Sequence, residues 1–208
     1  MEVERWIDAA KQGDLGAFNR LVGLHQGLLY GIAYRQLGNA DDALDACQEA
    51  LFSAWRAMAR FEGGAAKFRA WLLRILVNAC RDRQRLEGRK QELPLALEYD
   101  GEVFEMELPD PGQTPEAYAE VGDLRALLEG AIGQLPEEQR TVVLLDHAGL
   151  DYAAIAEILG IEVGTVKSRL SRARGRLRDI LGGRELQAAP RRSDGAHATA
   201  AGDTGTDG

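Results

Sequence analysis

Residues 150–181 read LDYAAIAEILGIEVGTVKSRLSRARGRLRDIL, and their spacing predicts two helices joined by a tight turn. In the first, Tyr152, Ile155, Ala156 and Leu159 recur at helical intervals, and Gly160 supplies the backbone freedom that ends it. The second begins near Gly164 and Thr165. Its apolar residues Val166, Leu170, Ala173 and Leu177 fall on one stripe. At about 100° per residue, the opposite face carries Ser168, Ser171, Arg172 and Gly175, with Lys167 on its shoulder and no acid before Asp179. A helix that is apolar behind and basic in front suits a helix-turn-helix whose second helix enters a major groove. Ala156 suits a close approach of the two helices. The competing reading is a surface hairpin with solvated arginines. The small residue, the glycine turn and the acid-free face occur together, and that combination favours DNA.

Charge is unevenly placed. The 208-residue chain has a net charge of −8, which argues against a general nucleic-acid binder. Yet Lys167 to Arg178 holds six cations and no acid. From Lys67 to Lys90 the cations are Lys67, Arg69, Arg74, Arg81, Arg83, Arg85, Arg89 and Lys90, against Asp82 and Glu87. Between these modules, Gln91 to Glu129 holds eleven acids and one cation, Arg125. The expected organisation is all-α: a helical domain over residues 1–90, a flexible acidic linker over 91–114, a helix-turn-helix domain over 115–182 and a disordered tail over 183–208.

In the first domain a short helix over Val3–Gln12 is expected, then one from Asp14 as cap to about Leu37, broken by Gly38-Asn39. A third helix, about Ala40 to Ala59, carries Leu44, Cys47, Leu51, Ala54, Trp55 and Met58 inward. Asp42, Asp45, Gln48, Glu49 and Phe52 lie on or beside its outer edge. An aromatic among acids and amides suits a partner surface; equally, Phe52 can fold back onto the first helix. After the glycine-bearing loop 60–66, a helix from about Lys67 to Glu87 has the core stripe Phe68, Leu72, Ile75 and Ala79. Arg74, Asn78, Arg81 and Arg85 share an exposed ridge, with Trp71 at the border. Cations follow phosphates, rings stack on bases and amides read base edges, so this ridge suits single-stranded DNA. The plain alternative is a solvated basic face with Trp71 in the core. In the second domain, helices are expected over about Pro115–Ile132 and Pro136–His147, the latter turning Val142, Val143 and Leu145 inward.

Three stretches resemble a family. DALDACQEALFSAW (42–55), FRAWLLRILVNACRD (68–82), and LPEEQRTVVLL (135–145) followed by GLDYAAIAEILGIEVGTVKSRLSRAR (149–174) together resemble the extracytoplasmic-function (ECF) group of bacterial sigma-70 factors. The resemblance implies sigma domain two followed by helix-turn-helix sigma domain four. It implies that Asp42, Asp45, Gln48, Glu49 and Phe52 meet core RNA polymerase, with Leu44 standing where the family carries an acid. The loop from Phe61 to Lys67, with Trp71 and Asn78, would capture flipped −10 bases, and Arg74, Arg81 and Arg85 would hold that strand. Thr165, Lys167, Ser168, Ser171 and Arg172 would face the −35 duplex. Ser171 stands where relatives often carry a ring. The acidic linker would thread the polymerase cleft. Expected partners are core RNA polymerase, promoter DNA and an anti-sigma factor.

Neither a cofactor nor a metal is expected. Cys47 and Cys80 sit in helical patterns without ligand spacing, and His25, His147 and His197 are scattered, the first two as ordinary helix residues. No membrane insertion is expected and the cytoplasm is the expected location. An enzyme is disfavoured because no nucleophile–base or carboxylate pair stands out. The main rival is a helix-turn-helix repressor or activator that works without polymerase, but it lacks a dimer seam and leaves the basic helix 67–87 unexplained.

Overall fold

Asp14 begins the second helix because its Oδ1 accepts the Ala17 N–H at 3.0 Å, and Asn39 and Asp151 cap two others in the same way. Such caps satisfy amides that a helix cannot pair internally, worth about 1 kcal/mol each. The computed structural model describes residues 2–89 and 126–188, with side chains described for 2–86 and 126–182. Every regular element among them is helical. The first module comprises α1 (Glu2–Lys11), α2 (Leu15–Gly23), α3 (Gln26–Leu37), α4 (Ala40–Ala57), a 3-10 turn at Met58–Arg60, and α5 (Ala65–Arg89). The second comprises α6 (126–133), α7 (Glu137–His147), α8 (Tyr152–Leu159) and α9 (Val163–Ala188).

Helices α3, α4 and α5 pack mutually, with α1 laid across α2, and bury Phe18, Leu21, Leu29, Leu51, Phe68, Leu72, Leu73 and Leu76. The core face of α5 is wider than one stripe. Leu73, Leu76, Val77 and Cys80 are buried, while Ile75 and Ala79 are only half-buried, because α3, α4 and α8 cover different sides of the helix. Similarly Val143 is half-buried and Leu144 takes the core position.

The single helix expected from Asp14 to Leu37 is two. It breaks at Leu24–His25, where the His25 N–H bonds the Val22 carbonyl at 2.8 Å. Gly23 and Gly27 flank the break, and glycine weakens a helix by about 1 kcal/mol relative to alanine. His25 is therefore a corner residue, its ring 5.9 Å from that of Phe68. Helix α9 extends to Ala188, past the residue 183 at which the tail is expected to begin; after Gly182 and Gly183, the residues Arg184, Glu185, Leu186, Gln187 and Ala188 favour helix. The acidic linker, the first part of the helix expected from Pro115, and the tail past residue 188 lie outside the described residues.

The two modules share one continuous apolar cluster, with α3 against α7 and α5 against α8. Gln36, 4 % exposed, is the polar centre of this seam. Its backbone carbonyl accepts Arg140 Nη1 at 2.9 Å and Gln84 Nε2 at 3.3 Å. Arg35 pairs with Glu129 at 3.2 Å beside it. Among the described residues, no helix is long and apolar enough to cross a membrane.

Candidate nucleic-acid interface

Helix α8 ends where Gly160 turns left-handed (φ 65°, ψ 40°), and its N–H reaches the carbonyls of Ala156 and Glu157. Ile161 N–H closes on the Ala156 carbonyl at 3.1 Å, so the chain reverses within one turn. That turn sets α9 across α8, with Val166, Leu170 and Ala173 buried and Leu177 half-buried. Lys167, Ser171 and Arg172 are exposed on the other side; Thr165 and Ser168 are half-buried, and the Ser168 hydroxyl donates to the Thr165 carbonyl at 3.0 Å. Arg172 Nη2 lies 3.5 Å from Ser168 Oγ. The six cations between Lys167 and Arg178 divide by task. Arg169 pairs with Glu138 at 2.8 Å and Arg174 with Asp146 at 3.0 Å, both fastening α9 to α7. The Tyr152 hydroxyl, first, and Asp146 hold the Arg174 guanidinium above its ordinary pKa. A shallow cleft of about 380 Å³ opens there, lined by Tyr152, Lys167, Leu170, Ser171, Arg174 and Arg178.

On α5, Arg74, Asn78 and Arg85 are exposed and Arg81 is half-buried, so the expected ridge is present. Arg74 faces Glu157 of α8 at 3.7 Å, and both side chains are more than half exposed, a geometry that contributes little in water. Arg69 Nη2 donates to the Gly149 carbonyl at 3.2 Å. In this closed arrangement two cations of α5 thus contact the second module.

Phe61 is corrected. Its ring is 3 % exposed, 4.8 Å from that of Trp71 and edge-on to that of Phe68 at 5.7 Å. It is the hydrophobic floor of the loop, not a surface for a base; Trp71 is half-buried and Lys67 is exposed. Gly63 (φ 152°) permits this packing, since a Cβ there would stand 3.0 Å from Lys67 Cβ and 3.2 Å from Phe61 Cζ. The sequence reading missed Glu4. Its Oε1 accepts the Ala65 N–H at 3.0 Å and so caps α5 from sixty-one residues away.

On α4, Gln48 is exposed and Phe52 half-buried beneath the Arg56 guanidinium, 5.5 Å above its ring. The acids do not simply line an outer edge. Arg83 of α5 reaches Asp42 at 2.8 Å, Glu49 at 3.4 Å and, most closely, Asp45. Asp42 is only 14 % exposed and is an internal anchor. Burial raises the Glu49 pKa and outweighs the attraction of Arg83, whose contact is long. Burial works against the Arg83 charge, but the Asp42 hydrogen bond and the charges of Asp45, Asp42 and Glu49 win and raise its pKa.

The Sigma-70 region 2 family matches residues 21–90, and the Sigma-70 region 4 family matches residues 125–177. The RNA polymerase sigma-H factor of Pseudomonas aeruginosa is 34% identical over 174 residues, covering 82% of this chain and 89% of that protein. ECF sigma factor SigW of Bacillus subtilis is 34% identical over 185 residues, 87% of this chain and 97% of that one. The chain belongs to the ECF group of the sigma-70 family. ECF sigma factor SigE of Mycolicibacterium smegmatis is 36% identical over 171 residues, 82% of this chain and 63% of that longer protein. Among solved structures, the sigma factor RpoE of Bartonella quintana, in complex with the anti-sigma factor NepR, superposes with a TM-score of 0.60 at 29% identity over 79% of this chain and 96% of that one. CnrH, in complex with the cytosolic domain of CnrY, gives 0.60 at 26% identity over 88% and 99%.

Sigma factors are transcription initiation factors and not enzymes. In this sigma factor the region 2 match runs from the end of α2 through α3, α4 and α5, and the region 4 match runs from α6 to the middle of α9. The rival of a free-standing repressor is not favoured.

Proposed function

We propose that this sigma factor binds core RNA polymerase through the edge of α4 that carries Asp45, Gln48, Glu49 and Phe52. It then directs the enzyme to promoters by reading −35 duplex with α9 and trapping melted −10 strand along α5. The observation that carries this reading is the division of α9. Its apolar stripe is sealed against the module, two of its arginines are committed to Glu138 and Asp146, and Lys167, Ser171 and Arg172 face solvent on the groove-sized side. Arg74, Arg81 and Arg85 would follow the phosphates of the displaced strand, with Asn78 and the loop ahead of α5 meeting a base. Unstacking a base costs a few kcal/mol, and each pocket or stacking contact returns about 1–3 kcal/mol. To take up a phosphate, Arg74 exchanges Glu157 for it, an inexpensive exchange because the pair is exposed.

Duplex contacts from one short helix reach a handful of phosphates and fade with salt, so polymerase supplies the rest and sets the distance between modules. Regulation in trans by an anti-sigma factor, in the cytoplasm, completes the reading; one similar structure holds an anti-sigma factor and another the cytosolic domain of CnrY. Run-off transcription with purified core polymerase over a genomic promoter library tests it. Specific starts that appear only with the protein present support the reading, and transcription no different from core alone refutes it.

A further inference from the structure

Asp42, Asp45 and Glu49 follow one another at three and four residues along α4, so they stack on one stripe as three like charges. Left alone, such a stripe splays its carboxylates apart. Here each of the three guanidinium nitrogens of Arg83 takes a different acid: Nε takes Asp42 Oδ1, Nη2 takes Asp45 Oδ2 and Nη1 takes Glu49 Oε1. Arg83 itself is 18 % exposed and sits on α5, the helix that also bears Asn78 and Arg74. Asp45 remains half exposed and Glu49 partly so, each with a second oxygen outside this contact.

We propose that Arg83 is a positioning residue for polymerase binding: it fixes the rotamers of Asp45 and Glu49 so that their outer oxygens are aimed at cations of the partner, and it ties that edge to the DNA-facing helix. This rests on the reading of α4 as the polymerase-binding edge. The geometry explains why arginine stands there. The guanidinium spreads its donors over three nitrogens fixed in one plane, so each can meet a different carboxylate along the stripe, whereas an ammonium gathers three rotatable donors on one atom and does not fix the directions of its partners. One cation against three anions also leaves a net −2 on the stripe, so the edge stays attractive to a basic partner while its members are held still. Pre-ordering removes entropy that would otherwise be lost on docking.

Full-length protein carrying Arg83→Met or Arg83→Lys should be titrated against core polymerase at a temperature where circular dichroism shows each variant fully helical. Arg83→Met is expected to weaken binding about tenfold and Arg83→Lys to recover only part of that loss. Val77→Ala, a core variant that lowers thermal stability without touching the stripe, should bind as wild type. If Arg83→Met does not fold, Asp42→Asn/Arg83→Met removes the buried acid with its partner and should fold yet still bind weakly. Wild-type affinity in a folded Arg83 variant overturns the proposal, as does an equal loss in Val77→Ala. Gln48→Ala and Phe52→Ala separate the two levels. If they weaken binding while Arg83→Met does not, only the positioning role fails; if none has an effect, the reading of α4 fails with it.

Discussion

The amide oxygen of Gln36 on α3 lies 3.2 Å from the hydroxyl of Thr141 on α7, both side chains buried at the boundary between the modules. The Thr141 hydroxyl also lies 2.9 Å from the Glu137 carbonyl, so its one proton is shared between two acceptors. A buried amide at this seam costs desolvation unless it is paired, and here the pairing runs between modules. Gln36→Ala should therefore destabilise the protein by about 1–3 kcal/mol. Urea unfolding checks this, and a variant with an unmoved midpoint would show that the modules do not rest on one another in solution.

Arg172 is exposed on α9 and its nearest polar neighbour is Ser168 at 3.5 Å, too long a contact to fix it. Its loss should leave folding alone. Arg172→Ala is expected to reduce initiation about tenfold at promoters that depend on their −35 element, the range of one base-edge contact. Promoters engineered to work without that element should change little. Equal loss at both kinds would move Arg172 from groove reading to general phosphate attraction.

Asn78 projects from α5 one helical turn beyond Arg74 and is exposed. Asn78→Ala should leave core-polymerase affinity within twofold and lower the yield of open complex, read by permanganate footprinting of the −10 region. A normal footprint refutes the base-trapping role.

The helix-turn-helix was legible because its signals are local: a glycine turn, a 3.6-residue apolar stripe and an acid-free face lie within thirty residues. The acidic edge of α4 was legible only in part. Asp42, Asp45 and Glu49 read as outward acids, since nothing near them in sequence announces that Arg83, thirty-four or more residues on, faces all three. The same limit hid the Glu4 cap on α5 and the burial of Phe61, both made by tertiary approach. Within α9, periodicity placed the cations but could not separate Arg169 and Arg174, which are tied to α7, from Arg172, which is not. The break at Leu24–His25 carried a faint signal in its flanking glycines, outweighed by continuous apolar spacing on either side.

Cys47 on α4 and Cys80 on α5 are free and fully buried. Burial, first, and the neighbouring thiol push Cys47 up to about 12; burial and the charge of Glu49 push Cys80 up to about 12. At pH 8 roughly one thiol in ten thousand is then ionised, and the thiolate is the reactive form. A thiol-reactive chromophore should label neither residue in the native protein and both in guanidinium. Rapid native labelling would mean that α4 and α5 separate readily.

His25 couples the corner between α2 and α3 to pH. Its ring is half-buried beside Phe68, and its pKa lies below the ordinary 6.5, first because burial disfavours the cation and then because Arg69 is near. The unfolded chain therefore binds this proton more readily than the folded one, and stability rises with pH across the interval. Above about pH 6.5 both states hold a neutral ring and the full contribution is present; it is lost as pH falls from there through the lower folded value. Glu49, held above its ordinary range, acts in the opposite sense, gaining stability as acid protonates it. Comparing wild type with His25→Gln in urea between pH 7.5 and 5.5 cancels the carboxylates common to both. Wild type should lose stability relative to the variant as pH falls through that interval. A difference that stays constant would mean that His25 titrates alike in the folded and unfolded chains, and that neither the ring of Phe68 nor the charge of Arg69 acts on it in solution.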